Sequence, residues 1–100
     1  MNALRRRPSE ILADHRQEAL EAAARHRASN VRVFGSAVRG EDTPISDIDL
    51  LVDLEPGATL FDLAELRLDM VELLGVEVDI VPTGSAGPIM DRILAEAVPL

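Results

Sequence analysis

The chain has 100 residues, of which 47% are hydrophobic, with no cysteine and a net charge of −8. That is enough for one small core, too apolar for a disordered chain, and it excludes disulfides and thiolate metal sites. The charge is split: residues 1–40 hold eight Arg and four acids, and residues 41–100 hold two Arg and fourteen acids.

Residues 1–8 read as a flexible arm at the start of a single domain spanning 1–100. Arg5-Arg6-Arg7 resembles the opening of a signal peptide, but Pro8-Ser9-Glu10 stands where an apolar stretch would be needed. No apolar run approaches the ~20 residues that cross a bilayer, so a soluble cytoplasmic protein with no membrane partner is expected. The overall acidity, with Phe34 and Phe61 as the only aromatics, argues against direct nucleic-acid binding, which draws on positive charge and stacking surfaces. The basic N-terminal part reads as a solvated helix face, its other use being contact with an acidic partner or a phosphate.

Ser9 is the expected N-cap of a helix over Glu10 to Ala28, a stretch rich in Ala, Leu, Glu and Arg. Its two histidines, His15 and His26, have no neighbours that complete a metal set and read as packing or surface residues. Val31 to Phe34 is a first strand, broken by Gly35-Ser36. Ala37 to Arg39 begins a short helix, and Gly40 to Ser46 is a polar loop. Ile48 to Leu54 is a second strand. Ile48, Leu50, Val52 and Leu54 share one of its faces, and Asp47, Asp49, Leu51 and Asp53 the other. Thr59 caps a helix from Leu60 to Leu74, ended by Gly75. Its wide apolar stripe, from Leu60 through Leu63, Ala64, Leu66, Leu68 and Val71 to Leu74, suits it to cover a sheet. Val76 to Val81 alternates strictly and is a third strand; Ile89 to Ala97 is a last short helix.

The order implies an α+β fold with a small mixed sheet of three strands and helices packed on it, one sheet face being left partly bare. A site shared by Gly35-Ser36 and Asp47-Asp49 requires the first two strands to be antiparallel. The helix between the second and third strands is long enough for a parallel crossover.

Three acids then group together: Asp47 and Asp49 at the start of the second strand, and Asp79 in the third. Neighbouring carboxylates repel one another unless a cation lies between them, and Mg²⁺ suits an all-oxygen site. Two Mg²⁺ ions on three carboxylates are an arrangement for phosphoryl or nucleotidyl transfer. Gly35-Ser36 complements them, since glycine lets a phosphate approach the backbone and the N–H groups of the turn favour anions. Arg39, one helical turn on, is placed to reach the same phosphates. Each piece alone has a plainer use, as a loop end, a solvated strand face or an ordinary turn; the combination carries the inference. Position 51 is Leu, which excludes an EF-hand. The chain has no Lys, which excludes a P-loop.

Gly35-Ser36, ten intervening residues and Asp47-Ile48-Asp49 resemble the nucleotidyltransferase signature of the DNA polymerase beta superfamily. The fuller string GSAVRGEDTPISDIDLLVD, with VEVDIV and the final ILAEAVPL, resembles its small branch, the minimal nucleotidyltransferases that serve as antitoxins to HEPN-domain toxins. The resemblance implies that Gly35 and Ser36 hold the triphosphate and that Asp47 and Asp49 bind both Mg²⁺ ions. Asp79 would be the third carboxylate, aiding deprotonation of the acceptor. It implies transfer of AMP from ATP to a hydroxyl, such as a tyrosine of a HEPN-domain partner in a hetero-complex. The chain has no Tyr, so such an acceptor lies on another protein. The alternative from a different class is a non-catalytic module that neutralises its partner by binding alone.

Overall fold

The computed structural model describes residues 6–100. The elements run α1 (Pro8–Asp14), α2 (Arg16–Arg25), β1 (Ala28–Phe34), α3 (Ser36–Arg39), β2 (Ile48–Leu54), α4 (Leu60–Leu74), β3 (Val78–Pro82), α5 (Pro88–Glu96) and β4 (Val98–Pro99). One sheet is formed in the order β3-β2-β1-β4. β1 is antiparallel to both β2 and β4, while β2 and β3 are parallel. The α+β class and the mixed sheet agree with expectation, but the sheet has four strands rather than three. β4 is two residues long and ends in Pro99. Such a stub has no alternation to read, and its proline is tolerated only because β4 lies at the sheet edge.

The N-terminal helix differs most from expectation. Pro8 opens it and is buried, where its missing N–H costs nothing; the arm reading therefore fails at residue 8, and residues 1–5 lie outside the described residues. Ser9 is in the first turn rather than at the cap. Its N–H donates to Asp42 Oδ2 at 2.9 Å, and Glu10 Oε1 accepts from the Arg7 N–H at 3.0 Å. The helix then breaks at His15, whose φ of −113° leaves the helical range. Good helix formers on both sides hide such a kink from propensity, because it is set by packing. Leu12 before the kink and Ala19, Ala22 and Ala23 after it are all buried in the same cluster.

β1 starts three residues earlier than Val31, with a register shift between Ser29 and Arg32. Asn30 sits there at φ +51°, a conformation asparagine tolerates. The bulge lets two segments that read as a helix end and a strand pair as one. α4 matches its expected limits. Thr59 Oγ1 accepts from the Phe61 N–H at 3.2 Å, Asp62 Oδ2 accepts from the Thr59 N–H at 2.8 Å, and Gly75 closes the helix at φ +72°.

The core is one cluster between α1, α2, α4 and one sheet face, containing Ile48, Leu50, Val52, Leu66, Met70 and Val78, all fully buried. Alternation along β2 puts Ile48, Leu50 and Val52 there, as expected. The other face is not bare at its centre: Leu51 is also fully buried, and with Met90 of α5 it lies outside that cluster. α4 uses less of its apolar stripe than expected. Leu66, Met70 and Leu74 are buried at four-residue spacing, whereas Leu60, Phe61 and Leu68 are 76%, 80% and 62% exposed. Among the described residues, no helix is long and apolar enough to cross a membrane.

This division of α4 is testable by denaturant unfolding. Leu66→Ala is expected to cost about 2–5 kcal/mol through the cavity it leaves. Leu68→Ala, on the exposed side of the same helix, should stay within about 0.5 kcal/mol of the parent.

Candidate nucleotidyl-transfer site

The first two strands fix the site. In the antiparallel pair, Phe34 at the end of β1 lies opposite Asp49 near the start of β2. The Gly35-Ser36 turn therefore leaves β1 directly beside the aspartates. In the parallel pair, Asp49 lies opposite Asp79, and adjacent positions on neighbouring strands share a sheet face. The structure thus brings together Gly35, Ser36, Asp47, Asp49 and Asp79, as the sequence suggested.

Gly35 has a reason to be glycine that the sequence did not reveal. Its φ of +80° already disfavours a side chain. A Cβ built there would also overlap the Asp49 carboxylate, Oδ2 first. The backbone of the turn and the carboxylate are packed against each other. α3 is a single turn of four residues, too short for a substantial dipole. The donors that face this corner are instead the Gly35 N–H and the Arg39 guanidinium. Both are engaged by one carboxylate: Glu96 Oε1, at the end of α5, accepts from Gly35 N–H at 2.8 Å and from Arg39 Nη1 at 2.6 Å. Glu41 takes Arg39 Nε at 2.9 Å. The Glu41 hydrogen bond and the charge of Glu96 hold the Arg39 guanidinium above its ordinary pKa.

The loop that carries the chain from α3 to Asp47 is tethered rather than loose. Asp42 is buried beneath it, accepting from Ser9 N–H, with Arg7 Nη1 at 3.9 Å from its other oxygen. Burial by itself pushes the Asp42 carboxyl up, but the Ser9 amide and the Arg7 charge outweigh it and hold it below the usual carboxylate value. Ser46 Oγ accepts from Thr43 N–H at 2.8 Å, closing the loop one residue before Asp47.

Asp53 shares a strand face with Asp47 and Asp49 in sequence but has a separate use. It accepts from Asn30 Nδ2 at 3.0 Å, Thr83 Oγ1 at 2.8 Å and Arg32 Nη2 at 2.6 Å. The Asn30 and Thr83 hydrogen bonds, then Arg32, lower its pKa. Asp49 is the opposite case. Burial, then the charges of Asp79 and Asp47, push its carboxyl up, and only Arg39 opposes them.

Three clustered carboxylates, one of them half-buried and repelled by the others, fit a hard divalent cation in donor chemistry. As the side chains stand, no three His, Asp or Glu among the described residues are gathered into a ready cage. Asp47 and Asp79 are exposed and have room to turn. The histidines serve elsewhere: His15 Nδ1 pairs with Glu18 at 2.8 Å and His26 Nε2 with Asp69 at 2.5 Å. Sequence reasoning missed Glu96. Its signal was an acid in the last turn of a helix, where the dipole disfavours negative charge.

Comparison with known proteins bears on the family and the fold. The family model described as a nucleotidyltransferase domain matches residues 15–98. The chain is 41% identical over 75 residues to the protein adenylyltransferase MntA of Thermococcus cleftensis, covering 75% of this chain and 73% of that protein. It is 43% identical over 75 residues to a candidate protein adenylyltransferase of Methanocaldococcus jannaschii, covering 74% and 81%. Among solved structures, a candidate minimal nucleotidyltransferase superposes with a TM-score of 0.81 at 49% identity, covering 92% of this chain and 95% of that one. A toxin–antitoxin structure with AMP-PNP shares the fold at 20% identity and a TM-score of 0.71, covering 83% and 69%.

Two substitutions test the site in the metal-free protein. Gly35→Ala should destabilise it by about 1–3 kcal/mol in denaturant unfolding, from the positive φ and the overlap with Asp49. Asp49→Asn should do the reverse. A carboxyl whose pKa is raised on folding destabilises the fold once pH exceeds that raised value, and contributes nothing when both states are protonated. The variant's melting temperature should therefore exceed the parent's at pH 7, and the gap should close as pH falls below the ordinary aspartate pKa.

Proposed function

The chain belongs to the nucleotidyltransferase domain family, in its minimal form, and we propose that it moves AMP from ATP to a hydroxyl on a partner protein. The observation that carries the reading is the corner where Gly35 packs on Asp49, with Asp79 in register beside it. The choice of ATP and of a protein acceptor is supported by the relatives named protein adenylyltransferases. An antitoxin role is supported by the toxin–antitoxin assembly that shares the fold; a HEPN-domain toxin as partner and a tyrosine as acceptor rest on the sequence resemblance alone.

In this mechanism Gly35 N–H, Ser36 and Arg39 hold the phosphates through charge-assisted hydrogen bonds. Asp47, Asp49 and Asp79 would hold Mg²⁺, two ions in all, which when bound supply neutralisation of the triphosphate and a lowered pKa for the acceptor hydroxyl. Asp79, exposed and opposite Asp49, takes the proton from that hydroxyl. The hydroxyl oxygen bonds to the α-phosphorus, the bond from that phosphorus to the bridging oxygen breaks, and pyrophosphate leaves with the electron pair. The half-buried Asp49, packed against the Gly35 turn, orients the reacting end.

A second reading, a binding module that silences its partner without chemistry, is favoured by one observation: the three acids do not form a ready metal cage as they stand. One experiment separates the two. ATP labelled at the α-phosphate is mixed with Mg²⁺, this protein and the product of the neighbouring gene. Label should pass to the partner, and Asp47→Asn or Asp79→Asn should lower the rate at least about a hundredfold with the fold intact by circular dichroism. Transfer at the parent rate by either variant overturns the assignment. Absence of label from a complex that still co-purifies supports the binding module.

A further inference from the structure

Glu96 stands where negative charge is least welcome. It lies in the last turn of α5, against the helix dipole, and its charge adds to those pushing the Asp49 carboxyl up. Its side chain is only 22% exposed. What holds it there is a pair of donors, the Gly35 N–H at 2.8 Å and Arg39 Nη1 at 2.6 Å, both on the same oxygen. β4 follows after a single residue and pairs with Arg32 and Val33, two strand positions before the Gly35 turn. The end of α5 is thus fastened to β1 on one side and to the turn on the other.

One carboxylate oxygen bridging a backbone N–H and a guanidinium has the recognition chemistry of a phosphate oxygen. We propose that Glu96 is a built-in occupant of the phosphate cradle, and that the phosphates of an incoming nucleotide displace it and release the last turn of α5. This rests on the nucleotide reading of the site and adds a regulation to it. Without nucleotide, Glu96 keeps Arg39 and the turn in place and discourages stray anions. With nucleotide, a polyanion accompanied by cations takes over both donors. The freed carboxylate, repelled by the phosphates, moves away with the α5–β4 junction, so the C-terminal segment reports whether the site is filled. Arg39 keeps Glu41 as a second partner, so it is not left unpaired during the exchange.

The test is calorimetric binding of three probes with Mg²⁺, namely ATP, inorganic tripolyphosphate and adenosine, to the parent, Glu96→Gln and Glu96→Ala. Each variant's fold is checked by thermal unfolding. Removing a competing ion pair of this exposure should tighten ATP and tripolyphosphate about three- to tenfold and leave adenosine unchanged. Equal or weaker phosphate binding by a folded variant overturns the proposal and makes Glu96 a positioning residue for Arg39. Hydrogen exchange on the parent keeps the test independent of any variant. Saturating ATP with Mg²⁺ should speed exchange in residues 93–100, and unchanged or slower exchange there overturns the proposal. If no AMP transfer is found while tripolyphosphate still binds more tightly to Glu96→Ala, the transferase reading fails and the displacement of Glu96 stands.

Discussion

The antiparallel pairing of β1 with β2 is the constraint on which the site depends. Its register sets Phe34 against Asp49, so the turn that follows β1 must fold back over the aspartate that opens β2. Only a residue without a Cβ fits between them. The same pairing puts Leu50 and Val52 into the core and Asp49 and Asp53 on the other face. A slip of one residue would bury the acids and expose the core at once. The apolar half of β2 therefore enforces the position of its acidic half, and the parallel partner β3 extends the same register to Asp79.

The acids of the acidic half are not alike, and their surroundings separate them by use. Asp42 and Asp53 have their charge held by neighbours: the Ser9 N–H and the more distant charge of Arg7 for one, donors from Asn30, Thr83 and Arg32 for the other. They tie a loop and a bulge to the body of the domain. Asp49 has mainly a steric partner and like charges around it. The fold supplies donors to two carboxylates and withholds them from the third, and a carboxylate perturbed in that way marks a candidate site rather than a structural tie. Burial and charge, not the number of acids, distinguish a site from a solvated face.

That distinction limits what the sequence could disclose. β2, α4 with both its caps, the parallel crossover and the grouping of Asp47, Asp49 and Asp79 were legible, because alternation, Thr59 and Gly75 act locally and the strands are well patterned. The kink at His15, the bulge at Asn30 and the stub β4 were not. Each is decided by packing between segments far apart in the chain, and each carries residues that suit the wrong element equally well. Asp53 shows the same limit from the other direction. Its strand position matched the site aspartates, but Arg32 and Thr83 are 21 and 30 residues away, and only the folded chain assigns it to them. The exposed side of α4 was misread for a related reason, since Leu60 and Leu68 carry the hydrophobicity of a core face without facing one.

α5 and β4 follow each other closely at the outer edge of the sheet. β1 already pairs with β2 on one edge, and its other edge would present free backbone donors and acceptors. β4 covers that edge at Arg32 and Val33 with only two residues, and Pro99 keeps the new edge from continuing the ladder. Because β4 lies so close after α5, covering the edge also delivers Glu96 to the Gly35 turn. A structural need, an edge that must be closed, and a chemical one, a cradle of donors that must not stand unpartnered, are thus met by the same short segment. Any movement of Glu96 away from the cradle therefore draws on the stability of the weakest strand in the sheet, which is where a small domain can move at least cost to its core.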